Sequence, residues 1–130
     1  MKEITIGLKG FASTKADSST LASAVGSGSL NVFSTPYMTA LMEKAACNAL
    51  DKYLENDEAT VGTALDIRHT SASPEGMDIS AEAVLTEING REFTFDVTAY
   101  DNAGLIGNGT HKRFLVCAER FIEKVNSKLK

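Results

Sequence analysis

The chain has 130 residues, of which 43% are hydrophobic, and a formal net charge of -4. That is enough apolar material for one core of ordinary size, and without a basic run or patch it lacks the electrostatic footprint of a nucleic-acid binder. No stretch approaches the roughly 20 apolar residues of a membrane span, and the opening residues lack the apolar run of a signal peptide, so the expectation is a cytoplasmic protein with neither membrane nor nucleic acid as a partner.

Taken in order, residues 2–9 alternate like a first strand, and residues 12–30 have the Ser, Ala and Gly content of a long loop with one helical turn at most. Such a segment inside a small domain is usually a functional lid or a disordered loop. Ser34-Thr35-Pro36 then marks a helix start, with Thr35 as the expected N-cap and Pro36 at the first helical position. Through residues 36–54 the polar Lys44, Asn48, Asp51, Lys52 and Glu55 fill one narrow stripe at roughly 100° per residue, and the rest of the circumference is apolar. This helix is expected to be wrapped by other structure. Beyond Asp57 the period changes to two, giving strand-like runs over residues 60–72, 77–88, 91–100 and 105–117. Their connections, Ser73-Pro74-Glu75-Gly76, Asn89-Gly90 and Asp101-Asn102-Ala103-Gly104, are turn signals that predict an antiparallel meander. Residues 119–130 carry Phe121, Ile122, Val125 and Leu129 at helical spacing. Cys47 and Cys117 lie far apart without metal or redox spacing and read as reduced core thiols; no metal is expected.

One strand, one helix and a four-stranded meander is the element order of an α+β hotdog domain over residues 1–130, a curved antiparallel five-stranded sheet around a long central helix. Such a sheet leaves an exposed edge, so a homodimer is expected.

Glu43 stands out because it projects roughly 130° from the centre of the polar stripe, among Ala40, Cys47, Leu50 and Leu54. A buried carboxylate must be paired, protonated or turned into a cavity where its cost serves chemistry. Simple alternation places His69 on the apolar face of its strand, with Val61, Thr63, Leu65 and Ile67, and Gly62 on the opposite face. Each residue has a bland reading: Thr35 as a helix cap, Glu43 paired with Arg68 or another cation across a dimer contact, and His69 as a satisfied core histidine. A carboxylate, an imidazole and a hydroxyl around one pocket beside a helix N-terminus would instead suit acyl transfer to water.

Thr35, Glu43 and His69, together with Val61-Gly62-Thr63, the run from His69 to Gly76 and the run from Ile106 to Arg113, resemble the fluoroacetyl-CoA thioesterase family of hotdog proteins. The likeness covers most of residues 32–121, and the spacing of the three residues is its specific part. The resemblance implies hydrolysis of an acyl-CoA thioester by a dimer, with Thr35, Glu43 and His69 as catalytic triad and no cofactor, CoA being part of the substrate. In the family the threonine and glutamate activate or deliver the attack and the histidine hydrogen-bonds the acyl group. Gly62 matches a glycine whose amide helps hold the thioester carbonyl. Arg113, Lys112 and Arg68 are candidates for the CoA phosphates, against the blander reading of solvated surface cations. The chain departs from the family in the lid, where Gly26 and Ser29 stand at the places of phenylalanines that shape the fluoroacetyl pocket. A different acyl group is therefore expected. The competing expectations are a binding module without turnover and a hotdog hydratase, whose histidine and aspartate at the helix start are missing here.

Overall fold

The computed structural model describes residues 1–130 as β1 (Lys9–Lys15), α1 (Ala22–Val25), α2 (Thr35–Leu50), β2 (Glu58–His69), β3 (Asp78–Asn89), β4 (Glu92–Asp101), β5 (Gly104–Cys117) and α3 (Ala118–Asn126). The strands form one antiparallel sheet in the order β1-β3-β4-β5-β2. Met38, Leu41, Met42, Ala45, Ala46, Ala49 and Leu50 of α2 are buried, and they join Ile79, Leu85, Phe93, Phe95, Val97 and Ile106 of the sheet in a core cluster of 19 residues. This is the expected hotdog architecture.

The first strand falls elsewhere than expected. Gly7 takes a left-handed φ of 96° and the Leu8 N–H donates to the Thr5 carbonyl at 3.2 Å, closing a turn before the strand begins. Pairing with β3 then runs from Lys9 to Lys15, through part of the segment expected to be loop. Alternation over residues 2–8 arises because Ile4 and Leu8 pack singly against the core, and only Gly7 and Leu8 of this stretch bond to β3, through the Leu85 backbone.

The meander is also narrower than expected. Only β3, β4 and β5 follow one another, and β2 pairs with β5 at the far edge. Residues 70–77 therefore form a crossover. Eight residues reach roughly 25 Å when extended, ample for the three spacings of about 4.8 Å between β2 and β3. Ser73 anchors it, being fully buried with its hydroxyl donating to Asp101 Oδ2 at 2.6 Å.

Three strands carry an extra residue. The β2–β5 register shifts between Gly62 and Ala64, the β3–β4 register between Leu85 and Glu87 and the β4–β5 register between Ala99 and Tyr100, leaving Thr63, Thr86 and Ile106 unpaired as bulges. Each threonine hydroxyl donates across to the facing strand, Thr63 to the Lys112 carbonyl and Thr86 to the Thr94 carbonyl, both at 3.2 Å. The first bulge reverses the pleat, so Gly62 shares the inner face with Leu65, Ile67 and His69, and the expected facing of Val61 and Gly62 is corrected.

The backbones of α2 and β1 nearly touch at Gly10, where a Cβ would collide with the Ala45 carbonyl and lie 2.5 Å from the Ala49 amide nitrogen. Gly10→Ala should lower unfolding stability by about 1–3 kcal/mol through overpacking against backbone that cannot yield, measured by urea denaturation. Parental stability in that variant would refute this seating of the helix.

Candidate functional site

Ser34, not Thr35, caps α2: its hydroxyl accepts from the Tyr37 N–H at 3.3 Å. Thr35 is consequently the first helical residue, and its hydroxyl is free to reach His69, the last residue of β2, with Oγ1 2.7 Å from Nδ1. The other ring nitrogen, His69 Nε2, is buried and is the one buried side-chain polar atom of the protein without a hydrogen-bond partner. Nearly all buried polar groups are paired, so a lone unpaired one calls for a reason. Burial holds the imidazole below its ordinary pKa, against a backbone contact at Ser71 that favours the charged form.

This pair opens on a cleft of about 280 Å³ between the lid and the β2 end, lined by Ala22 and Ser27, Val32 to Thr35, and His69 to Ala72. The lid is a folded loop. Leu21 bridges to Phe33 and Val32 to Pro74, α1 ends at a left-handed Gly26, and the Ser23 hydroxyl donates to Asn31 Oδ1 at 2.5 Å.

Glu43 lies eight residues further along α2, about 12 Å up the axis at 1.5 Å per residue. Its carboxylate is pressed over Gly62, where a Cβ would come 2.7 Å from Oε2, and 3.8 Å from Arg113 Nη1. Arg113 is almost fully buried. Its Nε donates to Thr60 Oγ1 at 2.9 Å, Nη2 to the Thr60 carbonyl at 3.0 Å, and Nη1 to His111 Nε2 at 3.1 Å. His111 Nδ1 in turn lies 2.8 Å from the Ala64 carbonyl. A carbonyl can only accept, so Nδ1 carries the proton and Nε2 is the acceptor for Arg113. Burial and the Arg113 charge hold this imidazole below its ordinary pKa, with the Ala64 carbonyl and Glu43 opposing.

Within the chain the expected site residues thus fall into two groups. Thr35 and His69 meet; Glu43, Gly62 and Arg113 meet; no hydrogen bond or ion pair joins the groups. Within the chain Glu43 pairs with Arg113, and Arg113 is an interior guanidinium, not a solvated surface cation. Lys112 sits at the surface, 3.7 Å from Glu92. Thr60 and His111 were not singled out by the sequence, although alternation along β5 puts His111, Arg113 and Leu115 on one face and would have found the second. No cluster of three or more His, Cys, Asp or Glu side chains is arranged to hold a metal ion, and no helix is long and apolar enough to cross a membrane.

Residues 16–119 match the family of fluoroacetyl-CoA-specific thioesterases, FlK. The fluoroacetyl-CoA thioesterase of Streptantibioticus cattleyicolor is 40% identical over 97 residues, 75% of this chain and 70% of that protein. A solved variant of FlK superposes with a TM-score of 0.91 at 30% identity, covering 98% of this chain and 99% of that one. Another, in complex with acetyl-CoA, gives 0.92 at 30% identity over 98% and 100%. A thioesterase superfamily member from Thermus thermophilus shares the fold at 24% identity, with a TM-score of 0.90 over 99% of this chain and 95% of that one.

The two imidazoles, His111 buried and His69 half-buried, carry a pH signature. Both are held below the ordinary value of about 6.5, so below that pH the unfolded chain binds protons that the folded protein does not. Their stabilisation should be complete above about pH 6.5 and lost as pH falls from there through the folded-state values. Urea denaturation across this range checks it, and His69→Gln should remove the His69 part of the slope. Asp17 and Asp101, lowered by the hydroxyls of Ser19 and Ser73, act only below about pH 4, so the windows separate. A stability flat between pH 7 and 5, in round numbers, would contradict the assignment.

Proposed function

Because the chain belongs to the fluoroacetyl-CoA-specific thioesterase family and is a thioester hydrolase, we propose that it hydrolyses small acyl-CoA thioesters at sites completed by a second copy of the chain. The observation that carries this reading is the separation of Glu43 from Thr35 and His69 along β2, an edge strand with a free side and a Leu65 that is 44% exposed at its middle. Antiparallel pairing of two β2 edges about an axis near Asp66 buries that leucine, and brings the Gly62 and Glu43 end of one protomer to the partner's Thr35 and His69.

In the composite site the Thr35 hydroxyl donates to His69 Nδ1, so Nε2 carries a proton and donates to the acyl part of the substrate. Glu43 delivers the attack on the thioester carbonyl, either directly or by taking a proton from the attacking water. A carbon–oxygen bond forms and the carbon–sulfur bond breaks; the proton that Glu43 takes from water goes to the leaving CoA thiolate, and on the direct route water then cleaves the glutamyl anhydride, releasing the carboxylic acid and restoring Glu43. Gly62 admits the carboxylate against the backbone and sets its own amide near the carbonyl oxygen. Water and the thioester suffice, and a CoA ester as substrate fits a protein that works in the cytoplasm.

Glu43→Gln or His69→Ala alone should lower kcat roughly 10²–10⁴-fold, the range of a positioned acid or base, with the folded state retained by circular dichroism. Refolding the two variants together should restore about a quarter of parental activity, because half of the dimers are hybrids and each hybrid keeps one of its two shared sites intact. Thiol release by both single variants at the parental rate would end the triad assignment. A mixture as inactive as its components would end the shared site.

The lid supports a broader acyl specificity. Gly26 and Ser29 are exposed and neither lines the cleft, so they cannot form an aromatic gate over the acyl group. We expect kcat/KM for fluoroacetyl-CoA, acetyl-CoA and propionyl-CoA to lie within about tenfold of one another, since one methylene or one small substituent is worth little without a fitted pocket. A strong preference for fluoroacetyl-CoA in thiol-release assays would contradict this. If CoA esters raise Tm without any thiol release, the protein is a binding module.

A further inference from the structure

We propose that His111 is the positioning residue of the Glu43 site, holding Arg113 beside the carboxylate through a single defined tautomer; this rests on the hydrolase reading of that site. His111 is 1% exposed and central in the sheet, paired with Leu65 on β2 and Phe95 on β4. Its two ring nitrogens face opposite demands. Nδ1 must donate, since the Ala64 carbonyl at 2.8 Å only accepts, and Nε2 must accept, since Arg113 Nη1 at 3.1 Å only donates. Only the neutral ring protonated on Nδ1 meets both.

The charged groups that face the ring are Arg113 from its own strand and Glu43 from α2; β2 and β4 present Leu65 and Phe95. A second proton on Nε2 would point a cation at the guanidinium and break the contact. Arg113 is fixed on its other side by Thr60, so the imidazole and the threonine together leave the guanidinium one orientation, with Nη1 toward Glu43. His111 makes no hydrogen bond to the carboxylate, both its ring nitrogens being engaged elsewhere, and it does not line the cleft at Thr35. Its influence on the reaction passes through Arg113.

The two ring contacts can be separated by substitution. His111→Gln offers an oxygen near the place of Nε2 and keeps the acceptor for Arg113. His111→Asn offers an amide near the place of Nδ1 and keeps only the donor to Ala64. Thiol release from a short acyl-CoA should show kcat within about threefold of the parent in the Gln variant and roughly 10–100-fold lower in the Asn variant. Nitrogen-15 NMR of the parent should show His111 protonated on Nδ1 alone, and an Arg113 Nη1–H, the donor to His111, that exchanges slowly in parent and Gln variant and rapidly in the Asn variant. If the parent hydrolyses no thioester, the functional reading fails and the NMR measurements still judge the positioning. The proposal is overturned if the Asn variant keeps parental kcat while the Gln variant loses it, or if the Arg113 Nη1–H is equally protected in both.

Discussion

The seating of α2 on β1 governs everything else in this protein. Gly10 removes a side chain where helix and strand backbones converge, and Ala45 and Ala49 keep the facing surface low. At such close range the helix cannot roll without collision, because packed interiors yield little. Its rotation therefore sets two directions at once. Thr35 and Glu43 are two turns apart and about 80° apart around the axis, so the placement that sends the threonine hydroxyl to the end of β2 sends the carboxylate to its beginning.

That beginning is an unusual place for charge. Arg113 and Glu43 sit against a sheet whose neighbouring positions hold Phe95 and Leu115, and an apolar pair of similar size would stabilise a fold at least as well. What makes the arrangement tolerable is completeness: Thr60 supplies a hydroxyl and a carbonyl, and His111 an acceptor. A guanidinium, with five donors in a rigid fork, can use all of these together where a lysine could not. The contrast with His69 is instructive. One imidazole has both nitrogens matched inside the protein, and the other has one left over, facing the cleft region between lid and sheet.

Much of this was legible from the residues. The polar stripe of the helix, the turn signals and the change of period after Asp57 located α2 and β2 to β5 within a few residues, because those signals are local and strong. Glu43 was found by arithmetic on the same helix. The β1 position was not, since isolated apolar residues draped on a core alternate just as a strand does. Nor was the sheet order, because a short polar connection announces a turn without saying how far the chain then travels. The inner facing of Gly62 was hidden by a threonine that looks in sequence like any other strand residue. His111 was visible as one of two polar residues at alternate positions, but a single strand cannot disclose which partner demands which nitrogen.

Gly62 and His69 are separated by an odd number of steps, and an unbroken pleat would turn them to opposite sides. Thr63 supplies the one uncounted step that sets both toward the helix. The spacing between them is thus governed by parity as well as by distance. Related chains can lengthen or shorten this stretch by two residues and keep the carboxylate over bare backbone, whereas a change of one must be matched by gaining or losing a bulge.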